Sequence, residues 1–342
     1  MDIHNHGQYL KSALAHPYRP DTCFMCAADL DAENQTDEHV IPKWMQERFN
    51  LWSEELVLIN GTGIPYRQLK IPCCFTCNNQ RLSPLENRIK AAFAAGFNSV
   101  DELPKFDLFR WLAKIYLGIQ YKQLSLLADR SQPDMGTILD PDFVRHYAIL
   151  HFWLQLSTCT NKPEYAPGSV WIFPTQTPAE IDLQFDLKDD ATNGVIAIRA
   201  GSVGVIADFL ENGVHQEINA DRCRKIAQIE LHPQQFTELV AFIVYEAGLL
   251  GQRSEVNFFE TDGKLEYAIE WWSTVEGDSP MNSFSQPDYA RILSFYTGIP
   301  FDDLYKPPNL LTTWLHDPKG NIVYWPLGEP HPFAGMSPEE ST

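Results

Sequence analysis

No stretch of this chain is long and apolar enough to cross a bilayer. The best apolar helix candidate, 239–250, is well short of the ~20 residues a span needs and carries Glu246. The first twenty residues hold no apolar run of an export signal. No membrane partner and a cytoplasmic location are therefore expected. Basic charge is also scarce: 26 Lys and Arg stand against 45 Asp and Glu, a net charge of −19. Nucleic-acid affinity draws heavily on cationic contacts to phosphate, so the chain as a whole is no general polyanion-binding surface. Internal repeats and a glycine-rich phosphate loop are missing, and beyond residue 100 no nucleophile stands in an evident pairing with a base. Cysteine nearly disappears after residue 77, leaving Cys159 and Cys223, which read as small buried hydrophobes. An apolar fraction of 44% in 342 residues excludes a disordered chain and is enough for about two domains.

What is present is concentrated near the N-terminus. Cys23-x-x-Cys26 and Cys74-x-x-Cys77 form two pairs separated by 47 residues. In a chain without an export signal, such pairs read as metal ligands rather than disulfides. Tetrahedral zinc takes four thiolates, two from each turn, so Cys23, Cys26, Cys74 and Cys77 are the expected ligands of a structural zinc. Cys73 could replace Cys74 in a shifted register. The spacing exceeds that of a compact zinc ribbon, so something folded must lie between the pairs. Charge is uneven as well. Residues 1–100 carry 9 basic and 11 acidic side chains, a balance of −2, which leaves −17 on the remainder.

Between the pairs lies Glu38-His39-Val40-Ile41-Pro42, and Asn78-Asn79 follows the second pair directly. This segment, about residues 20–97, resembles the HNH endonuclease superfamily, in which an acid-His pair precedes a short apolar strand ending in Pro. In many members a Cys-x-x-Cys zinc site clasps the fold, and a His or Asn metal ligand follows the last cysteine. The resemblance implies a ββα-metal domain that hydrolyses phosphodiester bonds of nucleic acid, with DNA ahead of RNA. It makes Glu38 and Asn78 ligands of a catalytic divalent cation (Mg2+, Mn2+ or another) and His39 the general base. Such a cation grips a phosphate oxygen, and a His beside it takes a proton from water. The hairpin's second strand is expected at 66–71 and the helix from near Cys74 to Ala95, with a kink at Pro84. Arg67, Lys70, Arg81, Arg88 and Lys90 are the expected phosphate contacts.

The chain departs from that pattern in three places. Glu38 stands where most members have Asp. The central Asn that braces the hairpin is replaced by Leu69, with Gln68 and Asn60 as substitutes. The loop between the elements is long, with an amphipathic helix expected in 43–52. A zinc-stabilised binding module with a decayed nuclease site is the alternative reading. His4-Asn5-His6 spells the motif's letters without its spacing and carries no functional weight.

The expected fold class is α+β: a 1–19 extension, the 20–97 zinc domain, a mixed α+β acidic domain at 104–327, and a disordered tail at 328–342. Helical spacing marks 106–127, 142–156 and 233–250, and strand patterns mark 169–173, 183–187, 195–199 and 203–209. Hairpins are expected around 261–263 and 317–320. The acidic domain is expected to bind a protein partner or ligand, or to restrain the nuclease. Residues 1–100 alone are then expected to bind DNA more tightly than the whole chain. His146, His151, Trp271, Trp272 and Trp325 read as core or interface residues, and His232 as a helix cap.

Overall fold

The computed structural model describes residues 11, 13–156, 167–209, 211–251, 256–261, 264–269, 281–308 and 310–331. His4 to His6, Cys159, Trp271, Trp272 and most of the expected tail lie outside them. The fold is mixed α+β. It separates into two compact units that interleave along the chain. One comprises Met1–Ala94, Leu103–Ala166 and Val256–Ile269, the other Ala95–Glu102, Pro167–Glu255 and Glu270–Thr342.

The first unit is built around a long-range strand pair that encloses a local hairpin. Strand β1 (Gln35–His39) is followed by a short helix α1 (Lys43–Arg48) and a small hairpin of β2 (Glu55–Val57) and β3 (Gly63–Pro65). The chain then returns as β4 (Lys70–Cys74), antiparallel to β1, with Glu38 opposite Ile71 and His39 opposite Lys70. The second strand thus lies later than expected, and 66–68 is a single 3-10 turn.

Beyond β4 the chain winds as a wide π turn, Thr76–Leu82, before narrowing into helix α2 (Ser83–Ala95). The width has a local cause. Pro84 has no N–H to close the ordinary i→i−4 bond, and the Ser83 amide reaches back five residues to the Asn78 carbonyl. Pro84 therefore marks the change of winding at the start of α2, not a kink within it.

Helix α3 (Lys105–Gln123) is buried on nearly every side, as expected of a helix at the centre of a unit rather than on its surface. It packs on β4 and on helix α4 (Ala148–Gln155). The expected single helix over 142–156 is broken into Pro141–Arg145 and α4. Close approach to the hairpin depends on Gly118, where an added Cβ would lie 2.9 Å from Val40 and 3.3 Å from Ile71. The sequence reading starts a second domain at 104, whereas α3 is a core element of the unit that contains the cysteines. His16 and Tyr18, read as part of an extension, pack on Tyr121 and His151 of this same core.

The second unit is centred on a four-stranded antiparallel sheet. Its strands are β5 (Ser169–Pro174), β6 (Phe185–Asp190), β7 (Val195–Ala200) and β8 (Val203–Asp208), in the order β5-β8-β7-β6. Helix α5 (Ala220–Ile226) precedes helix α6 (Pro233–Leu249). Trp171, Phe173, Ile206, Phe236, Leu239 and Val240 pack in one core cluster. Gly204 lets α6 lie close to the sheet, because a Cβ there would fall 2.3 Å from the Phe236 ring. His232 caps α6 by accepting the Gln234 amide and stacks on Trp325, with ring centroids 3.7 Å apart. Helix α7 (Gln286–Thr297) packs on α6 through Tyr289 and Leu293. The hairpin expected at 317–320 is reduced to a bridge between His316 and Ile322.

Candidate functional site

Four sulfurs converge where the two cysteine pairs meet. The first pair sits on a tight reversal in which the Cys23 amide donates to the Ala28 carbonyl and Ala27 takes a positive φ of 61°. The Phe24 amide donates to the Pro72 carbonyl, which ties this knuckle to β4. The second pair straddles the end of β4, and the Cys77 amide points at the Cys74 sulfur at 3.4 Å. Cys23, Cys26, Cys74 and Cys77 present ligand atoms within 4.8 Å of one another, close enough to hold a metal ion. Zinc–sulfur bonds of about 2.3 Å in a tetrahedron place neighbouring sulfurs about 3.8 Å apart, and Cys26 and Cys74 stand at 3.8 Å. Cys73 is buried 3.9 Å from Cys23 but belongs to no such group among the described residues.

The four thiols are close enough to act on one another's charge. Hydrogen bonds from Cys26, Cys73, Cys74 and Cys77 push the Cys23 thiol down. The resulting thiolate pushes Cys74 and Cys77 up. Several thiolates can share this volume only if a positive charge sits among them.

The second cluster lies on β1 and the start of the π turn. Asn78 donates its side-chain amide to the Thr36 hydroxyl at 3.0 Å and to the Asp37 carbonyl at 3.4 Å. Strand alternation puts Thr36 and Glu38 on one face of β1, so Asn78 looks toward the face that bears Glu38. Glu38 is buried and paired with the ammonium of Lys114. Lys114 also reaches Glu86 at 2.8 Å and the carbonyls of His39 and Val40 at 2.7 and 3.1 Å. Burial raises Glu38, against the pull of Lys114. Lys114 is itself held charged by Glu38 and Glu86 despite complete burial.

His39 ends the strand. Its Nε2 is buried without a hydrogen-bond partner among the described residues. Burial first, then Lys43, Lys70 and Lys114, lower its pKa to about 4, with Asp37 opposing. The imidazole is therefore neutral at physiological pH and bordered by cationic side chains.

Neither expected substitute for the missing Asn braces the hairpin. Asn60 donates to the Ala128 carbonyl, and Gln68 is exposed. Lys114 takes that place from α3, holding the backbone of β1 at the His39 and Val40 carbonyls. The donor types of Glu38 and Asn78 suit a hard divalent cation, although the Asn78 amide itself bonds Thr36 and Asp37. The Glu38 carboxylate is already neutralised, however, so a cation there has to displace Lys114.

The five expected phosphate contacts differ in their partners. Arg88 bonds Asp107 at 2.8 Å, and Arg110 pairs with the same carboxylate. Arg67 donates to the Trp52 carbonyl, and Lys70 stands 3.9 Å from Asp37. Arg81 has a buried Nη1, and Lys90 is exposed on α2. Sequence reasoning missed Lys114, Glu86 and Lys43. Asp107, Arg110 and Lys114 lie at helical spacing within an apolar run, a sign that one face of α3 meets buried charge.

No family model matches the chain, and no similarity to a curated protein or to a solved structure was found.

Proposed function

We propose that the first unit is a zinc-clasped nuclease module of the HNH type that hydrolyses phosphodiester bonds, with DNA ahead of RNA as substrate. The reading rests on one juxtaposition. The antiparallel pair β1 and β4 runs directly into a helical segment whose first turn sets Asn78 over β1, and β1 ends in His39 with an unbonded ring nitrogen among lysines. Cys23, Cys26, Cys74 and Cys77 would hold zinc, which contributes folding energy to a module this small. Glu38 and Asn78 would hold a divalent cation, which when bound supplies charge to a phosphate oxygen. His39 accepts the proton of the attacking water at its Nε2. Lys43 and Lys70 draw the phosphate toward that nitrogen, and Lys114, displaced from Glu38 by the cation, keeps its bonds to the His39 and Val40 carbonyls. The test is cleavage of supercoiled plasmid by the full chain with Mg2+, Mn2+ or Zn2+ supplied in turn. The expected outcome is metal-dependent nicking that falls on the order of 100-fold or more in His39→Ala.

The Lys114–Glu38 pair favours a second reading, in which the module binds nucleic acid or protein and its catalytic site has decayed. DNA or RNA retained in a gel shift, with no cleavage under any of the three metals, would establish that reading in place of the first.

A further inference from the structure

The acidic unit contains a cavity of about 190 Å³ between α5, α6, α7 and the 311–316 segment. Its walls are mostly apolar, with Leu239, Phe242, Phe284 and Leu315 among them. A cavity of ~150 Å³ with such walls accepts a benzene molecule, so this one has room for one ring and a small polar group. Arg222, Glu238, Tyr289, Thr313 and His316 supply its polar lining.

The acidic and basic members of that lining differ in how far they are satisfied. Glu238 accepts the Thr313 hydroxyl and the amides of Trp314 and Leu315, the amides at 2.6 and 3.0 Å. Its lone pairs are therefore turned into the protein. The Arg222 guanidinium carbon lies 4.2 Å from the centre of the Phe242 ring. Among the described residues the guanidinium pairs with Glu246, 3.9 Å away and itself bonded by the Asn219 amide at 2.6 Å. A guanidinium offers five donors in a planar fork suited to a carboxylate, and this one keeps most of them for a ligand. Tyr289 lines the same cavity as Arg222.

We propose that this cavity binds a small organic acid, one ring or short branched chain bearing a single carboxylate. The acid group lies on Arg222 and the Tyr289 hydroxyl, and the apolar body fills the space among Leu239, Phe242 and Leu315. This site lies wholly within the second unit and does not depend on the nuclease reading.

The experiment compares benzoate, benzamide and benzylamine on the full chain by ligand-observed NMR and calorimetry. These probes keep one ring and change the charge from negative to neutral to positive. Saturable binding is expected for benzoate, weaker binding for benzamide and the weakest for benzylamine. Arg222 is half exposed, so Arg222→Gln should fold normally. It should cut the preference for benzoate over benzamide by about tenfold, the scale of a charge-assisted hydrogen bond. Leu311→Trp, at a partly exposed wall position, should fill the cavity and abolish binding of all three. Three results each overturn the proposal: no saturable binding by any probe, a preference for benzylamine, or an unchanged benzoate preference in folded Arg222→Gln.

Discussion

At the scale of single residues, Lys114 decides more than any side chain of the recognisable motif. It is 1% exposed and serves two carboxylates and two backbone carbonyls. Removing one partner of a buried ion pair leaves the other charged and desolvated, at a cost of about 3–5 kcal/mol. Lys114→Ala is therefore expected to lower the unfolding free energy by about that much in urea titrations. A loss below about 1 kcal/mol, the range of surface pairs, would show that Glu38 is not buried against this ammonium. Glu38 and His39 were legible as a motif, because they are adjacent and precede an apolar strand. Their partner Lys114 is 76 positions from Glu38 in the chain, and no local pattern links the two.

At the scale of elements, the cysteine knuckles and helix α3 both tie to strand β4. Cys26→Ser should lose zinc by elemental analysis and unfold the first unit by circular dichroism, since thiolate-bound zinc is folding energy. Cys73→Ser should keep its zinc, because Cys73 stands outside the four-sulfur group. Equal zinc loss in both variants would mean that the register is shifted. Gly118→Val tests the α3 tie. Its side chain would enter the space held by Val40 and Ile71, and overpacking of this kind costs about 1–3 kcal/mol. The denaturation midpoint should fall accordingly.

At the scale of the whole molecule, the buried acids of the second unit contribute to the pH dependence. His215 donates to or accepts from Asp208 at 2.8 Å, and Glu211 accepts the amides of Ser169 and His215. Asp208 and the other nearby carboxylates raise His215 against its burial, so its contribution is complete below the ordinary histidine value and is lost as pH rises through the folded one. Burial raises Glu211 and Glu238 to about 7. The folded state therefore keeps protons that the unfolded chain releases near pH 4.5, and stability again falls as pH climbs toward 7. These signs agree with one another and oppose those of His16, His39, His151, His232, His316 and His331, which burial lowers, so that their contribution grows as pH rises through the ordinary histidine value. Glu238→Gln removes one of the raised acids, so calorimetric melting should show the change in stability from pH 6 to pH 8 becoming more favourable in that variant than in the parent chain; an unchanged difference would mean that Glu238 does not titrate in this range. A fragment ending at residue 100 is also expected to stay unfolded by NMR, because it lacks α3. Comparing DNA binding by that fragment with the whole chain therefore does not isolate the acidic unit's charge.

The sequence by itself determined the pieces whose chemistry is local. Cys-x-x-Cys turns announce their bite, the 239–250 run lies in α6 save for Leu250, and the strands at 195–199 and 203–209 follow from apolar runs on either side of the Ala200-Gly201 hairpin signal. The mixed α+β class followed from those runs. Only the tertiary structure decided that α3 belongs with the cysteine knuckles rather than with a second domain. The same holds for the Lys114 ammonium facing Glu38, and for Arg88, read as a phosphate contact, which bonds Asp107. Each of these depends on which side chains meet across long loops, and a burial pattern records only that a face is covered, not by what. The strand moved from 66–71 to Lys70–Cys74 for the same reason. Its register is chosen by the partner strand and by the helix that Gly118 allows against it.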